Sequence, residues 1–222
     1  EYMDRVEADY TGQEAQNLIN ILTTNHTYFM REPEHFEFFK NVILPELKER
    51  EKTGMDLRIW SAAASSGQEP YTIAMILKDF LGPEYNAWET SVLATDISRK
   101  VLDSAVNGIY SAEQISTLPV WWRNSYFVPL PDGMYQVKKE LRQQVVFRQF
   151  NLMNPLPFKK KMHVIFLRNV MIYFDETTKR KLVQRLYEFL EPGGYLIIGS
   201  TENIDRSAVP LVYVRPSIFR KE

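Results

Sequence analysis

Apolar positions near the start of the chain recur at helical spacing and are then followed by a strand-like run. An amphipathic helix of about three turns is predicted by five apolar residues, namely Phe36, Phe39, Val42, Ile43 and Leu47. The next apolar run, residues 57–62, has the length and composition of a buried strand. Segments with helical spacing and segments with the pattern of a strand continue to follow one another along the chain.

Helices and strands then alternate through most of the remaining sequence. Pro70 begins a helix that Gly82-Pro83 ends. Five further elements are predicted, in chain order: a strand over 91–95 ending on Asp96, a helix over 99–106, a strand over 162–167, a helix over 177–190 and a strand over 195–199. Strands separated by helices predict an α/β fold with a mostly parallel sheet, flanked by helices. In such a fold, ligands bind at the carboxyl ends of the strands.

The character of the sequence changes between the helix near residue 100 and the strand near 163. Short β-like runs occupy 126–131, 134–137 and 145–150, and Asp132-Gly133 is a hairpin turn signal. We therefore expect residues 115–150 to form a small, partly antiparallel insert with a helix. The acidic residues 1–22 are expected to be a linker or the remnant of an N-terminal helical domain, with 23–222 forming one domain.

Composition excludes several classes of chemistry. The 222 residues include no cysteine, so disulfides, thiolate nucleophiles and cysteine-ligated metals are excluded. The formal charge of −1 gives no global basic field for nucleic acid, and no apolar run approaches the ~18 residues of a membrane span. The three histidines lack ligand spacing, so no metal site is expected. A monomer in a reducing cytoplasm fits these features.

The turn after the first predicted strand is a candidate binding site. Small residues at 62–64 and Gly67 allow the backbone to approach a ligand closely, although tight packing against a helix explains them equally well. Asp96, at the tip of the next strand, is placed to accept hydrogen bonds from the ribose of an adenosine bound over that turn. Its alternative role is to cap the helix that follows Ile97.

Two further segments carry candidate functional side chains. Arg31 lies in a run rich in hydrogen-bonding residues, and its charged fork suits a carboxylate; an N-cap followed by a surface salt bridge is the alternative. Arg168, Asn169 and Tyr173 follow an apolar strand at its carboxyl end, where a sheet of this class places its chemistry. Tyr173 alternatively packs in the core with its hydroxyl satisfied.

Five motifs occur in order along the chain: residues 23–32 (TTNHTYFMRE), 60–74 (WSAAASSGQEPYTIA), 94–97 (ATDI), 151–152 (NL) and 165–174 (IFLRNVMIYF). Together they closely resemble the CheR family, the bacterial chemotaxis methyltransferases that esterify chemoreceptor glutamates using S-adenosylmethionine. The resemblance covers about residues 20–205. It implies a Rossmann-like class I methyltransferase fold, and the insert is similar to the β-subdomain by which some members dock a receptor tail.

The resemblance also implies roles for individual residues. Cofactor contacts are implied for Asn25, Thr27, Arg31, Glu69, Asp96, Asn151, Leu152, Leu167 and Arg168. Glu69 would receive the methionine ammonium and Asp96 the ribose, while Leu167 and Arg168 would contribute backbone. Arg31 and Tyr173 match active-site positions. The sequence departs from the family at Leu167, where cysteine is common, and at His163, where aspartate is common.

The function implied is transfer of a methyl group from S-adenosylmethionine to glutamate carboxylates of chemoreceptors, leaving S-adenosylhomocysteine as product. A glutamate is already ionised at neutral pH, so the absence of a catalytic histidine or cysteine is expected. The alternative is a non-catalytic cofactor-binding module that regulates a signalling complex. A small-molecule methyltransferase is disfavoured by the insert.

Overall fold

The computed structural model describes Glu14 and residues 26–222. The expected short helix and linker over residues 1–22 therefore lie almost entirely outside the described residues. Among the residues described, no helix has both the length and the apolar character needed to cross a membrane.

The first described helix contains a π-helical turn. It consists of α1 (Pro33–Phe38), a π-helical segment (Phe39–Ile43) and α2 (Leu44–Arg50). A π turn holds more residues than an α turn, so the apolar stripe changes register within it. Val42, expected to face inward, is 42% exposed, whereas Leu44 is fully buried.

The later helices and strands that the sequence predicts lie close to their predicted positions. The long helices are α3 (Gln68–Leu81), α4 (Arg99–Asn107) and α8 (Glu176–Phe189). Three short helices lie in the central region, α5 (Ala112–Ile115), α6 (Val120–Tyr126) and α7 (Lys139–Arg142). The strands are β1 (Ile59–Ser61), β2 (Val92–Asp96), β3 (Ile109–Ser111), β4 (Phe127–Pro129), β5 (Met134–Val137), β6 (Val145–Gln149), β7 (Met162–Leu167), β8 (Leu190–Ile198), β9 (Leu211–Arg215) and β10 (Ile218–Lys221). Strands β3, β9 and β10 were not predicted.

Seven strands form one sheet in the order β6-β2-β1-β7-β8-β10-β9. The first five run parallel, and β10 is antiparallel to both β8 and β9. Alternate residues of β7 enter different cores. Val164 and Phe166 pack on one face, whereas Ile165 and Leu167 pack on the other. The expected mostly parallel sheet with buried faces is confirmed.

Strand β8 begins at Leu190, five residues earlier than predicted. Leu190 pairs with Met162 and Tyr195 pairs with Val164, so residues 191–194 form a wide bulge between two paired positions. Gly193 within the bulge has a φ of 73°, which glycine adopts without steric cost.

The small antiparallel sheet has the order β3-β5-β4, and the hairpin turn at Asp132-Gly133 is where the sequence predicts it. The assignment of residues 145–150 to this insert is wrong. Strand β6 pairs with β2 in parallel along its whole length and is an edge of the large sheet. An edge strand is half exposed, so its sequence has the amphipathic pattern of a hairpin strand. Strand β3, which the sequence analysis did not predict, joins the small sheet instead.

His163 lies near the start of β7, on the edge of the sheet opposite the carboxyl ends of the parallel strands. Its Nδ1 accepts a hydrogen bond of 3.1 Å from the backbone N–H of Arg58, and the side chain is buried. The Arg58 guanidinium also pairs with Asp56 at 2.6 Å and with Glu191 at 2.8 Å. Burial, and then the charge of Arg58, lower the pKa of His163 to about 4. The neutral imidazole of His163 therefore links β7, through this hydrogen bond, to the segment that leads into β1.

We predict that acid destabilises the fold partly through this histidine. An unfolded histidine has a pKa near 6.5, so the unfolded state takes up a proton first as the pH falls. The free energy of unfolding should then decrease by up to about 1.4 kcal/mol per pH unit for each such histidine, between roughly pH 6.5 and 4. His163→Gln should make this decrease shallower in urea titrations at pH 5, 6 and 7. The exposed His26, changed to Gln, is the control. A wild-type pH slope in His163→Gln would contradict the prediction.

Candidate cofactor and active site

A cavity of about 450 Å³ lies at the carboxyl ends of β1, β2 and β7, within the range of small-molecule sites. It is closed on one side by the segment that precedes α1. Its lining residues are His26, Thr27, Tyr28, Arg31, Phe36, Ala62, Ala63, Ser65, Glu69, Asp96, Ile97, Phe150, Asn151, Leu152, Arg168, Asn169, Val170, Tyr173 and Phe174.

Most residues that the sequence analysis assigned to the site lie together in this cavity. These are Thr27, Arg31, Glu69, Asp96, Asn151, Leu152, Arg168 and Tyr173. Asn25 falls outside the described residues. The Leu167 side chain is fully buried in the core and does not line the cavity, so only its backbone remains a candidate for cofactor contact.

Some of the small residues after β1 leave space for a ligand, and others pack tightly in the core, so both predicted roles are present. Ala62 and Ala63 line the cavity, whereas Ala64 is buried in the core. Gly67 has a φ of 97°, and a Cβ there would lie 2.9 Å from the hydroxyl of Tyr110. Close packing therefore excludes a side chain at Gly67, while the residues before it leave open space for a ligand.

Asp96, at the tip of β2, presents a carboxylate to the cavity. Its oxygens accept hydrogen bonds of 2.9 Å from the backbone N–H groups of Ser65 and Ser98. The residue that caps α4 is Ser98, so the alternative role of Asp96 as the helix cap is wrong. Burial raises the pKa of Asp96, and hydrogen bonds from Ser98, Ser65 and Ile97 only partly offset that effect.

The guanidinium of Arg168 is the centre of a buried polar network. Its Nη1 donates to Glu69 at 2.7 Å, its Nη2 donates to Glu32 at 3.0 Å, and its Nε donates to His35 at 3.1 Å. Nη2 also donates to the carbonyl oxygen of Arg31. The second oxygen of Glu69 accepts a 2.7 Å hydrogen bond from the Ser61 hydroxyl. The side chain of Arg168, for which the family resemblance implied only a backbone role, thus joins the cavity wall to α1.

The network carries an excess of negative charge. Burial, and then the charge of Arg168, lower the pKa of His35 to about 4, so this imidazole is neutral at pH 7. Burial opposes ionisation of Glu32, but Arg168, Asn169 and Ser200 together lower its pKa. One guanidinium therefore faces two carboxylates, those of Glu32 and Glu69. This balance favours a ligand group with positive charge beside Glu69.

Left-handed backbone is concentrated around the cavity. Ser65 and Asn169, which line it, have φ values of 47° and 57°, and Met30 and Glu32, which flank Arg31, have values of 58° and 56°. A residue with a Cβ pays roughly 1–2 kcal/mol to adopt this conformation. Such conformations persist where the surrounding structure fixes them, and they are often found at functional sites.

Arg31 and Tyr173 lie at the open part of the site. The guanidinium of Arg31 donates to the carbonyl oxygen of His26 at 2.6 Å and lies 6.0 Å from the ring centre of Tyr28. Tyr173 is 54% exposed, so the interpretation of Tyr173 as a core tyrosine is wrong. Both side chains are accessible to a second substrate.

Sequence reasoning missed several residues of the site. Glu32 is the last residue of a recognised motif and His35 lies three residues beyond it, yet only their contacts with Arg168 reveal their importance. Glu202 accepts hydrogen bonds from the backbone N–H groups of Asn169 at 2.9 Å and Met171 at 2.6 Å. No spacing rule links residues so far apart in the chain. The apolar cavity walls at Phe36, Ile97, Phe150, Val170 and Phe174 were also not predicted.

The donors and acceptors of the cavity fit S-adenosylmethionine. Asp96 is an acceptor for ribose hydroxyls, and Ile97, Phe150 and Leu152 offer apolar surface for the adenine. Glu69 offers a carboxylate for the ammonium of the methionine part. The excess negative charge of Glu32 and Glu69 over Arg168 also suits the positive charge of the sulfonium. A parallel sheet with this site at its carboxyl edge defines a Rossmann-like class I methyltransferase fold. In the described part of the chain, no group of three or more His, Asp or Glu residues is placed to hold a metal ion.

Comparison with known proteins identifies the family. The family model described as "CheR methyltransferase, SAM binding domain" matches residues 25–214 of this chain. The chain belongs to this family, whose cofactor is S-adenosylmethionine (SAM).

Relatives along most of the chain carry the same kind of name. The chemotaxis protein methyltransferase of Borreliella burgdorferi is 42% identical over 100% of this chain and 79% of that protein. The chemotaxis protein methyltransferase of Escherichia coli K12 is 39% identical over 91% of this chain and 69% of that protein. A solved glycopeptide N-methyltransferase, MtfA, in complex with S-adenosylmethionine is 17% identical with a TM-score of 0.39, covering 64% of this chain and 43% of that one.

We predict that Asp96→Ala weakens binding of S-adenosylmethionine and S-adenosylhomocysteine by roughly 1.5–3 kcal/mol, because hydrogen bonds to a charged acceptor are lost. Titration calorimetry measures this directly. Asp103→Ala is the matched control, since Asp103 lies on the following helix with its side chain 62% exposed. Equal affinities for wild type and Asp96→Ala would contradict the ribose assignment.

Proposed function

We propose that this protein transfers a methyl group from S-adenosylmethionine to glutamate side chains of bacterial chemoreceptors, in the cytoplasm, forming the methyl esters used in chemotaxis adaptation. The observation that carries the proposal is that Glu69 and Asp96, which suit a cofactor, line the same cavity as Arg31 and the exposed Tyr173. The names of the relatives support chemoreceptors as the substrate class.

The residues of the chain would hold the cofactor by its three parts. Glu69 would bind the ammonium, Asp96 the ribose, and Asn151 and Leu152 the adenine, with Asn25, Thr27, Arg31 and the backbone at 167–168 completing the contacts. The bound cofactor supplies an electrophilic methyl group on a positively charged sulfur. The apolar walls at Phe36, Val170 and Phe174 would exclude water from the reacting groups.

The acceptor needs orientation rather than deprotonation. A glutamate with an ordinary pKa near 4.3 is already a carboxylate at neutral pH, so its oxygen is nucleophilic without a general base. Arg31 would attract this carboxylate, and the hydroxyl of Tyr173 would orient it toward the methyl group. Proximity and alignment would then supply most of the rate.

The domain organisation follows from the same proposal. We propose that residues 23–222 form the catalytic domain and that this domain acts as a monomer. The insert would offer a docking site for a receptor tail. Two residues of the insert, Trp122 and Tyr126, donate hydrogen bonds to Asp79 of α3, the first at 2.6 Å, so the insert is attached to the helix that follows β1.

A non-catalytic cofactor-binding module is the alternative function. Such a module has no use for a cation and a phenol at the open part of the cofactor cavity. The positions of Arg31 and Tyr173 therefore support the enzyme. Transfer of labelled methyl groups to receptor cytoplasmic fragments, followed by base-labile release as methanol, tests the proposal directly.

We predict that Tyr173→Phe keeps near-native affinity for S-adenosylhomocysteine and lowers the methyl-transfer rate by roughly tenfold or more, because an orienting hydroxyl is lost with little change in volume. Calorimetry and single-turnover assays separate the two effects. Tyr213→Phe is the matched control, since Tyr213 is 48% exposed on strand β9. An unchanged rate in Tyr173→Phe would assign Tyr173 to packing.

We also predict that the single-turnover rate is flat from about pH 6 to 8 at saturating cofactor. A carboxylate acceptor loses no proton in this range, and the pKa of His35 is lowered to about 4. An amine or hydroxyl acceptor would need deprotonation, so its rate would rise with pH. His26→Gln is the control, because the Arg31 guanidinium donates a hydrogen bond to the carbonyl oxygen of His26. A tenfold rise between pH 6 and 7 in both proteins would exclude a glutamate acceptor.

A further inference from the structure

Arg31 stands between two residues in the left-handed conformation. Met30 and Glu32 have φ values of 58° and 56°, which residues with a Cβ rarely adopt. The main chain before α1 therefore has to be held in this shape by contacts elsewhere. The direction in which the Arg31 side chain leaves the main chain depends on those contacts.

The side chain of Glu32 provides the anchors on one side of Arg31. Its Oε2 accepts hydrogen bonds of 3.0 Å from Arg168 and 3.3 Å from the backbone N–H of Ser200. Its Oε1 accepts a hydrogen bond of 3.2 Å from the amide of Asn169. These partners follow β7 and β8, so Glu32 ties the segment before α1 to the ends of two strands. Glu32 itself is not among the residues that line the cavity.

Arg168 completes the attachment. The nitrogen that donates to Glu32 also donates to the carbonyl oxygen of Arg31, and the guanidinium lies 5.1 Å from the ring centre of Phe36 in α1. The main chain is therefore fixed at Arg31 and at the next residue by one guanidinium. That guanidinium keeps this position because the carboxylate of Glu32 balances part of its charge.

We propose that Glu32 is a positioning residue for the methyl acceptor. By holding Arg168 and Asn169, it fixes the main chain of Arg31, which places the Arg31 guanidinium where the acceptor carboxylate arrives. It does so without contacting cofactor or acceptor. This inference rests on the proposed function for its catalytic consequence, but its structural part stands independently.

Hydrogen exchange tests the structural part without any methyl transfer. Glu32→Gln preserves size and removes the charge, and Glu37→Gln, which changes an exposed carboxylate in the adjoining helix α1, is the matched control. Peptides covering residues 27–36 should exchange at least about fivefold faster in Glu32→Gln than in wild type or Glu37→Gln, because protection follows local opening. Equal exchange in all three proteins would overturn the proposal. If Glu32→Gln does not fold, Glu32→Asp, which keeps the charge and shortens the reach, takes its place with the same two outcomes.

A double-mutant cycle tests the catalytic part. In single-turnover assays, Glu32→Gln should lower the methyl-transfer rate about tenfold or more in the wild-type background. In the Arg31→Ala background, it should lower the rate by less than about twofold, since no guanidinium remains to be positioned. The same loss in both backgrounds would overturn the proposal. If wild type methylates no receptor glutamate, the proposed function fails, whereas hydrogen exchange still decides the role of Glu32 in holding the Arg31 segment.

Discussion

The geometry of the cavity depends on one buried cation. The Arg168 side chain is 2% exposed, and it contacts the carboxylates of Glu32 and Glu69, the imidazole of His35 and the carbonyl oxygen of Arg31. A buried guanidinium is stable only when its charge and its donors are matched, so removal of one partner is costly. Because its partners come from α1, α3 and the segment before α1, the requirement to satisfy Arg168 fixes all three against the end of β7. The elements that surround the cavity are thus held in place by a buried ion cluster.

Much of the fold could be predicted because its long elements have strong periodicity. Strand β7 is apolar apart from His163 and is buried on both faces, so its bounds were predicted without error. The failures have local causes. Val42 was assigned to the core because the sequence does not reveal a π turn, and the edge strand β6 was assigned to the insert because exposure gave it the pattern of a hairpin. Both errors concern features that are decided by strand pairing and by packing, and that local sequence does not determine.

The candidate site was predictable to the extent that its residues stand at strand tips or within recognisable motifs. Asp96 follows an apolar strand, and Tyr173 lies a few residues beyond another, so their place at the carboxyl edge follows from topology. Glu32, His35 and Glu202 could not be found in this way, because their roles arise from contacts with Arg168 or with backbone groups of distant segments. The adjacency of Glu32 to Arg31 was the one available signal. For Leu167, the family resemblance implied only a backbone contact, and its side chain is buried in the core.

Backbone N–H groups at the carboxyl edge have a further consequence for what the cavity selects. In many nucleotide-binding folds, N–H groups of such loops bind phosphate. Here carboxylates of the protein occupy them: Asp96 accepts from Ser65 and Ser98, and Glu202 accepts from Asn169, Met171 and, at 2.8 Å, Gly199. A phosphate would find these donors already used and would face the charges of the same carboxylates. The carboxylates of Asp96 and Glu202 therefore disfavour binding of an anionic group at these N–H donors, whereas they do not oppose an adenosine linked to a cation.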